Sequence, residues 1–119
     1  MKKILIVEDE KALARVMSLK LNSAGYSTSV VFSGEESLAV LSKESFDLII
    51  LDLVMPKKDG FFVLSEISRQ GIKTPVIVAS NLSQKEDIEK AKKLGAVDYF
   101  IKSDVTLVEI VNKVKQHLQ

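Results

Sequence analysis

The chain has no cysteine and no tryptophan, only 2 prolines and 5 glycines, and 6% aromatic residues over 119 positions. Without cysteine there is no disulfide, thiol nucleophile or thiolate metal site to consider. No apolar run approaches the roughly 20 residues needed to span a bilayer. Met1-Lys2-Lys3 followed by four apolar residues resembles the start of a signal peptide, but Glu8 cuts the run short. A cytoplasmic location is therefore expected. Neither sign of charge dominates: 17 basic residues against 16 acidic give a net charge of +1. That balance argues against the strongly basic surface with which many domains hold nucleic acid. There are no internal repeats, low-complexity stretches or linkers. What remains, 46% hydrophobic and 28% charged, suits one soluble globular domain with a single packed core.

Short apolar runs alternate with segments of helical period. Ile4-Leu5-Ile6-Val7 and Leu48-Ile49-Ile50-Leu51 are unbroken, as expected of central strands covered on both faces. Ser27 to Phe32 mixes β-formers with polar residues, as in an edge strand. Val76-Ile77-Val78-Ala79 and Tyr99-Phe100-Ile101 supply two further strands. Between them lie five helical segments: Leu13, Val16, Met17 and Leu21 before Gly25; Leu38 and Leu41 after Gly34; Leu64 and Ile67 after the turn Pro56-Lys57-Lys58-Asp59-Gly60; Ile88, Ala91 and Leu94 before Gly95; and Leu107, Val111, Val114 and Leu118 at the end. Phe46 is expected to pack before the third strand. The strand-helix repeat predicts a single α/β domain, a doubly wound parallel sheet with helices on both faces. Such sheets bind ligands beyond the carboxyl ends of their strands.

Glu8, Asp9, Asp52, Ser80 and Lys102 all fall at those ends. Taken singly, each has a bland reading. Asp9 suits a helix N-cap, Asp52 a solvated turn, and Lys102 a surface position. Together they occupy one edge of one sheet, which independent surface residues would not do. Carboxylates about 4 Å apart repel by roughly 4 kcal/mol at an effective dielectric near 20. Either Lys102 or a divalent cation is expected among them. Such a group can transfer phosphate: a carboxylate attacks phosphorus to give an acyl phosphate, with Mg²⁺, lysine and hydroxyl neutralising the phosphoryl oxygens.

At these residues the sequence resembles the response-regulator receiver domain of two-component signalling over essentially its whole length, 1–119. The matching segments are ILIVEDE, AGY, SGEESL, FDLIILDLVMPKKDG, TPVIVAS and LGAVDYFIK. The resemblance implies a flavodoxin-like (βα)5 domain whose five strands are ordered 2-1-3-4-5. It implies Asp52 as phosphoacceptor, with Mg²⁺ held by Glu8, Asp9, Asp52 and the backbone carbonyl of Val54. Ser80 matches the switch hydroxyl, Tyr99 the switch aromatic and Lys102 the phosphate-contacting lysine. The implied partners are a sensor histidine kinase or phosphotransfer protein and a downstream protein effector, with no direct contact to nucleic acid or membrane. The chain is expected to act as a monomer or a phosphorylation-dependent dimer, stand-alone, and to catalyse only its own phosphoryl uptake and slow loss.

Two positions depart from the family pattern. Asn81 stands where Ala or Gly usually follows the switch hydroxyl, and borders the route of phosphate access. Ser103 stands where a proline in a cis bond usually follows the lysine. A non-proline cis bond costs about 2.5–4 kcal/mol, so a trans link or a displaced loop is expected. Ser103-Asp104 offers a cap for the last helix. Val54 and Leu82 flank the phosphoryl position without a polar group to orient water, which predicts slow hydrolysis. His117 is expected to be solvated, Lys85 to Lys93 to be a solvated mixed-charge helix face, and Lys57-Lys58 a surface turn or an attraction for an acidic partner.

Three rival functions remain. A flavodoxin-like cofactor binder shares the fold class, but Glu8-Asp9-Glu10 would repel the cofactor phosphate. An aspartyl phosphohydrolase would want a second acid two residues after Asp52, where Val54 stands. A phosphorylation-independent receiver-like protein-binding module is the alternative kept open by Asn81 and Ser103.

Overall fold

A computed structural model describes residues 1–119. The elements are β1 (Lys3–Val7), α1 (Lys11–Ser23), β2 (Ser27–Val31), α2 (Gly34–Leu41), β3 (Leu48–Leu51), α3 (Gly60–Arg69), β4 (Val76–Ser80), α4 (Lys85–Lys93), β5 (Asp98–Ile101), a 3-10 turn (Lys102–Asp104) and α5 (Leu107–Leu118). The five strands pair in parallel in the order β2-β1-β3-β4-β5, as expected.

The unbroken apolar strands are explained by the period of two. In β1, Leu5 and Val7 join one core, while Ile4 and Ile6 join the other. Ile49 and Leu51 of β3 lie in the first core with Val63, Leu64 and Ile67 of α3 and Ala91 of α4. Leu48 and Ile50 lie in the second with Met17 and Leu21 of α1 and Val111 and Val114 of α5. Phe46 is buried, as expected.

The structure corrects three expectations. Val16 is 43% exposed, and Ala14 takes its place in the core. Ala14, Met17 and Leu21 follow the i, i+3, i+7 spacing, whereas Val16 falls one residue off that stripe. The last helix is capped by Thr106, not by Ser103-Asp104. Thr106 forms a full capping box with Glu109, which satisfies two orphan donors where a lone side chain satisfies one. His117 is half-buried, with Nε2 3.1 Å from Asp98 Oδ2, because the end of α5 lies against the start of β5.

The turn before α3 positions the acidic edge of the sheet. Asp59 caps the helix by accepting from the Phe62 N–H at 2.9 Å. The Gly60 N–H donates to the Leu53 carbonyl at 2.9 Å. A Cβ on Gly60 would lie 2.6 Å from Leu53 Cα, so only glycine allows this approach.

Candidate functional site

Strand register brings the acids together. Val7 lies opposite Leu51 in the β1–β3 ladder, so the next residues, Glu8 and Asp52, emerge side by side. The Asp52 N–H continues the ladder to the Val7 carbonyl at 3.0 Å, and the Glu8 N–H reaches Val31 at 3.1 Å. Both side chains are buried, Glu8 at 1% and Asp52 at 5% exposure, while Asp9 is exposed. Glu8, Asp9 and Asp52 each offer a carboxylate oxygen within 4.8 Å of the others.

Lys102 arrives from the far side of β4. Ser80 pairs with Ile101 in the β4–β5 ladder, so Lys102 leaves the sheet one residue beyond the level of Ser80. Its Nζ lies 2.8 Å from Glu8 Oε1 and 3.4 Å from Asp52 Oδ2. The other oxygens are also held: Glu8 Oε2 accepts from the Glu10 N–H at 3.1 Å, and Asp52 Oδ1 accepts from the Val54 N–H at 3.3 Å. No buried side-chain polar atom lacks a partner.

Burial dominates the electrostatics. It pushes the Glu8 carboxyl up to about 7, against the opposing hydrogen bond from Lys102, with the charge of Asp52 adding to the rise. Burial also raises Asp52, opposed first by the charge of Lys102. For Lys102, burial favours loss of the proton, but the two carboxylates outweigh it and the ammonium is held above its ordinary value. Lys102 therefore stays charged between two acids that resist ionising together.

These residues line a cleft of about 300 Å³ with Asp9, Glu10, Val54 and Asn81. Its donor set fits Mg²⁺. The ligands are hard oxygens, three carboxylates against one lysine leave a formal charge of −2, and the open cleft admits the waters that this ion retains. Asp9, whose carboxylate makes no hydrogen bond within the protein, is free to turn toward it.

Ser80 and Tyr99 are not on the cleft wall. Ser80 is fully buried at the end of β4, and its Oγ accepts from the Leu82 N–H at 3.3 Å. The Tyr99 hydroxyl donates to the Leu82 carbonyl at 2.7 Å. Burial raises the Tyr99 phenol above its ordinary value, so it remains a donor at neutral pH. The loop around Leu82 thus joins the two residues that the resemblance marked as a switch.

Every peptide bond is trans, including Lys102–Ser103, so of the two expected solutions the chain takes the trans link. Asn81 and Ser103, the two departures, meet: the Ser103 N–H donates to Asn81 Oδ1 at 3.1 Å. Sequence reasoning noted each residue but not the contact, because the donor is a backbone group. The Glu10 N–H on Glu8 was missed for the same reason.

The family model for the response regulator receiver domain matches residues 4–115. The chain is 36% identical over 100 residues to the transcriptional regulatory protein DltR of Streptococcus agalactiae, covering 84% of this chain and 45% of that protein. It is 35% identical over 119 residues to the transcriptional regulatory protein PcoR of Escherichia coli, covering 100% of this chain and 52% of that one. The chain thus spans about half the length of these curated relatives. Among solved structures, the receiver domain of the Francisella response regulator 1452 superposes with a TM-score of 0.93 at 31% identity, covering 99% of this chain and 97% of that one. The BeF3-activated DrrB receiver domain gives 0.89 at 30%, again over 99% and 97%. With the acidic edge, its lysine and its strand order in place, the chain belongs to the response-regulator receiver family of two-component systems.

Proposed function

We propose that Asp52 is the phosphoacceptor of a two-component phosphorelay. The observation that carries this reading is the position of Lys102 Nζ, 2.8 Å from Glu8 and 3.4 Å from Asp52 at the mouth of a three-carboxylate cleft. A carboxylate oxygen of Asp52 attacks phosphorus, and the O–P bond forms as the P–N bond of a phosphohistidine breaks. The imidazole nitrogen leaves with the electron pair. Lys102 pairs with a phosphoryl oxygen once the transferred charge arrives. Bound Mg²⁺ supplies charge neutralisation and orientation of the phosphoryl oxygens. Glu8, Asp9, Asp52 and the Val54 carbonyl would hold it.

Phosphorylation adds close to two negative charges and three acceptor oxygens. Ser80 then donates its O–H to a phosphoryl oxygen and draws away from the Leu82 N–H. With Leu82 freed, Tyr99 gives up its bond to that loop and rotates inward. The surface of α4, β5 and α5 changes shape and is offered to a protein effector. The donor is a sensor histidine kinase or a phosphotransfer protein, the setting is cytoplasmic, and the chain works as a monomer or as a dimer formed on phosphorylation. Its relatives DltR and PcoR are transcriptional regulatory proteins; this domain, near neutral in net charge, acts through protein contacts and not on nucleic acid. It is not an enzyme beyond catalysing its own phosphoryl uptake and slow loss.

The test is intact mass after incubation with Mg²⁺ and acetyl phosphate. The wild type gains one phosphoryl group and Asp52→Asn gains none; an equal gain in both, or none in either, sinks the assignment.

A further inference from the structure

Asn81 and Ser103 each adjoin a residue that the phosphoacceptor reading places against the phosphoryl group. Asn81 follows Ser80, and Ser103 follows Lys102. The Ser103 N–H can only donate, so the atom of Asn81 that faces it at 3.1 Å is its carbonyl oxygen, which fixes the orientation of the amide. Asn81 lines the acidic cleft beside Lys102. Between the end of β5 at Ile101 and the cap of α5 at Thr106, this is the one side-chain hydrogen bond that ties the backbone to another element. Lys102 itself is anchored by its ammonium to Glu8 and Asp52, the contacts it must loosen to reach a phosphoryl oxygen. At that moment the β4–β5 ladder holds the backbone as far as Ile101, and beyond it this bond is the anchor.

We propose that the Asn81–Ser103 hydrogen bond is a clasp that holds Ser80 and Lys102 in fixed relation, which makes Asn81 a positioning residue for phosphoryl uptake. The proposal rests on the phosphoacceptor reading of Asp52. An alanine at 81 removes the acceptor and opens the clasp, whereas a proline at 103 would also constrain the backbone of Lys102 and is no clean probe. Both residues are exposed, so water replaces the lost partner and stability changes little. What is lost is the restraint on the lysine, while the Mg²⁺ ligands stay where they are.

The test compares wild type and Asn81→Ala by three readouts: phosphoryl uptake from acetyl phosphate at saturating Mg²⁺, Mg²⁺ affinity by calorimetry, and hydrogen exchange of the Ser103 amide. Wild type is expected to protect the Ser103 amide, and Asn81→Ala to lose that protection. Asn81→Ala should slow uptake about two- to tenfold with Mg²⁺ affinity unchanged. Uptake at the wild-type rate in Asn81→Ala, or a Mg²⁺ affinity that falls in step with uptake, overturns the proposal. An unprotected Ser103 amide in wild type overturns the clasp whatever the phosphoryl chemistry. A protected amide with no uptake in wild type means that the phosphoacceptor reading has failed, and the positioning role with it.

Discussion

Lys102 reconciles two carboxylates that burial sets against each other. Burial pushes both Glu8 and Asp52 up, and the charge of Asp52 raises Glu8 further, which one ammonium relieves only in part. Asp52→Asn removes one of the opposed charges. Without divalent ions the variant should gain about 1 kcal/mol, a rise of roughly 4 °C in Tm at pH 7.5. Saturating Mg²⁺ should narrow that gap by stabilising the wild type more. Thermal melts in EDTA and in Mg²⁺ check both halves; a variant that melts below wild type in EDTA contradicts the electrostatic account. Lys57 is the one non-glycine residue with positive φ, at 64°, in the turn beside the site. A left-handed conformation costs an L-residue roughly 1–2 kcal/mol, partly offset in glycine by its greater loss of freedom on folding. Lys57→Gly should therefore stabilise by about 0.5 kcal/mol, read by urea denaturation. At this scale the chemistry was legible wherever a charged side chain carried it. Glu8, Asp9, Asp52 and Lys102 stand out because acids and a lysine that end apolar runs have few other reasons to be there. The contacts of Ser103 and Glu10 leave no mark in the sequence because each is made by a backbone N–H, which every residue but proline has.

The elements explain what periodicity reaches and where it stops. Strands β1 and β3 were plain because burial on both faces leaves no polar residue inside the run. The helix α5 was recognised by its apolar spacing, yet its start was misplaced, since Ser103, Asp104 and Thr106 all suit an N-cap and only Thr106 has a glutamate three residues on. The other end of α5 carries a charge cluster that helical spacing alone did not reveal. Asp98 is penalised by burial, but hydrogen bonds from His117 and the Tyr99 N–H, with the charge of Lys113, hold it below the ordinary carboxylate value. A depressed folded-state value stabilises the protein above the unfolded value of 3.8 and loses that contribution as the pH falls through the folded value. Asp98→Asn should cost about 1 kcal/mol at pH 7, with the difference closing below pH 3.8. Chemical denaturation across that range tests the sign; a difference that widens in acid contradicts it. Gly60 belongs to this scale as well. Gly60→Ala must move α3 away from Leu53, and it should cost about 1–3 kcal/mol and slow phosphoryl uptake at the adjacent Asp52.

The molecule as a whole separates stability from chemistry. Two apolar cores, one on each face of the sheet, fix the strands, and the carboxyl edge they share carries the buried acids Glu8 and Asp52 with their lysine. Fold class and strand order were legible because the strand-helix repeat and right-handed crossovers leave few arrangements. The resemblance marked Ser80 and Tyr99 as a switch pair, and the structure joins them through the Leu82 loop, whose N–H donates to Ser80 Oγ and whose carbonyl accepts from the Tyr99 hydroxyl. Side-chain direction of that kind depends on long-range packing and has no local signature. Val54 is 57% exposed at the cleft and apolar, and Leu82 is apolar as well, so neither orients a water against phosphorus. The phosphoryl group on Asp52 should persist for minutes or longer once the donor is removed; decay within seconds would contradict this.

A divalent ion bound among the crowded carboxylates of this edge would enable Asp52 to accept phosphorus. The most direct test is the intact mass of the wild-type chain after acetyl phosphate treatment in matched Mg²⁺ and EDTA buffers. One added phosphoryl group is expected with Mg²⁺ and none with EDTA. Equal modification in both buffers would contradict it.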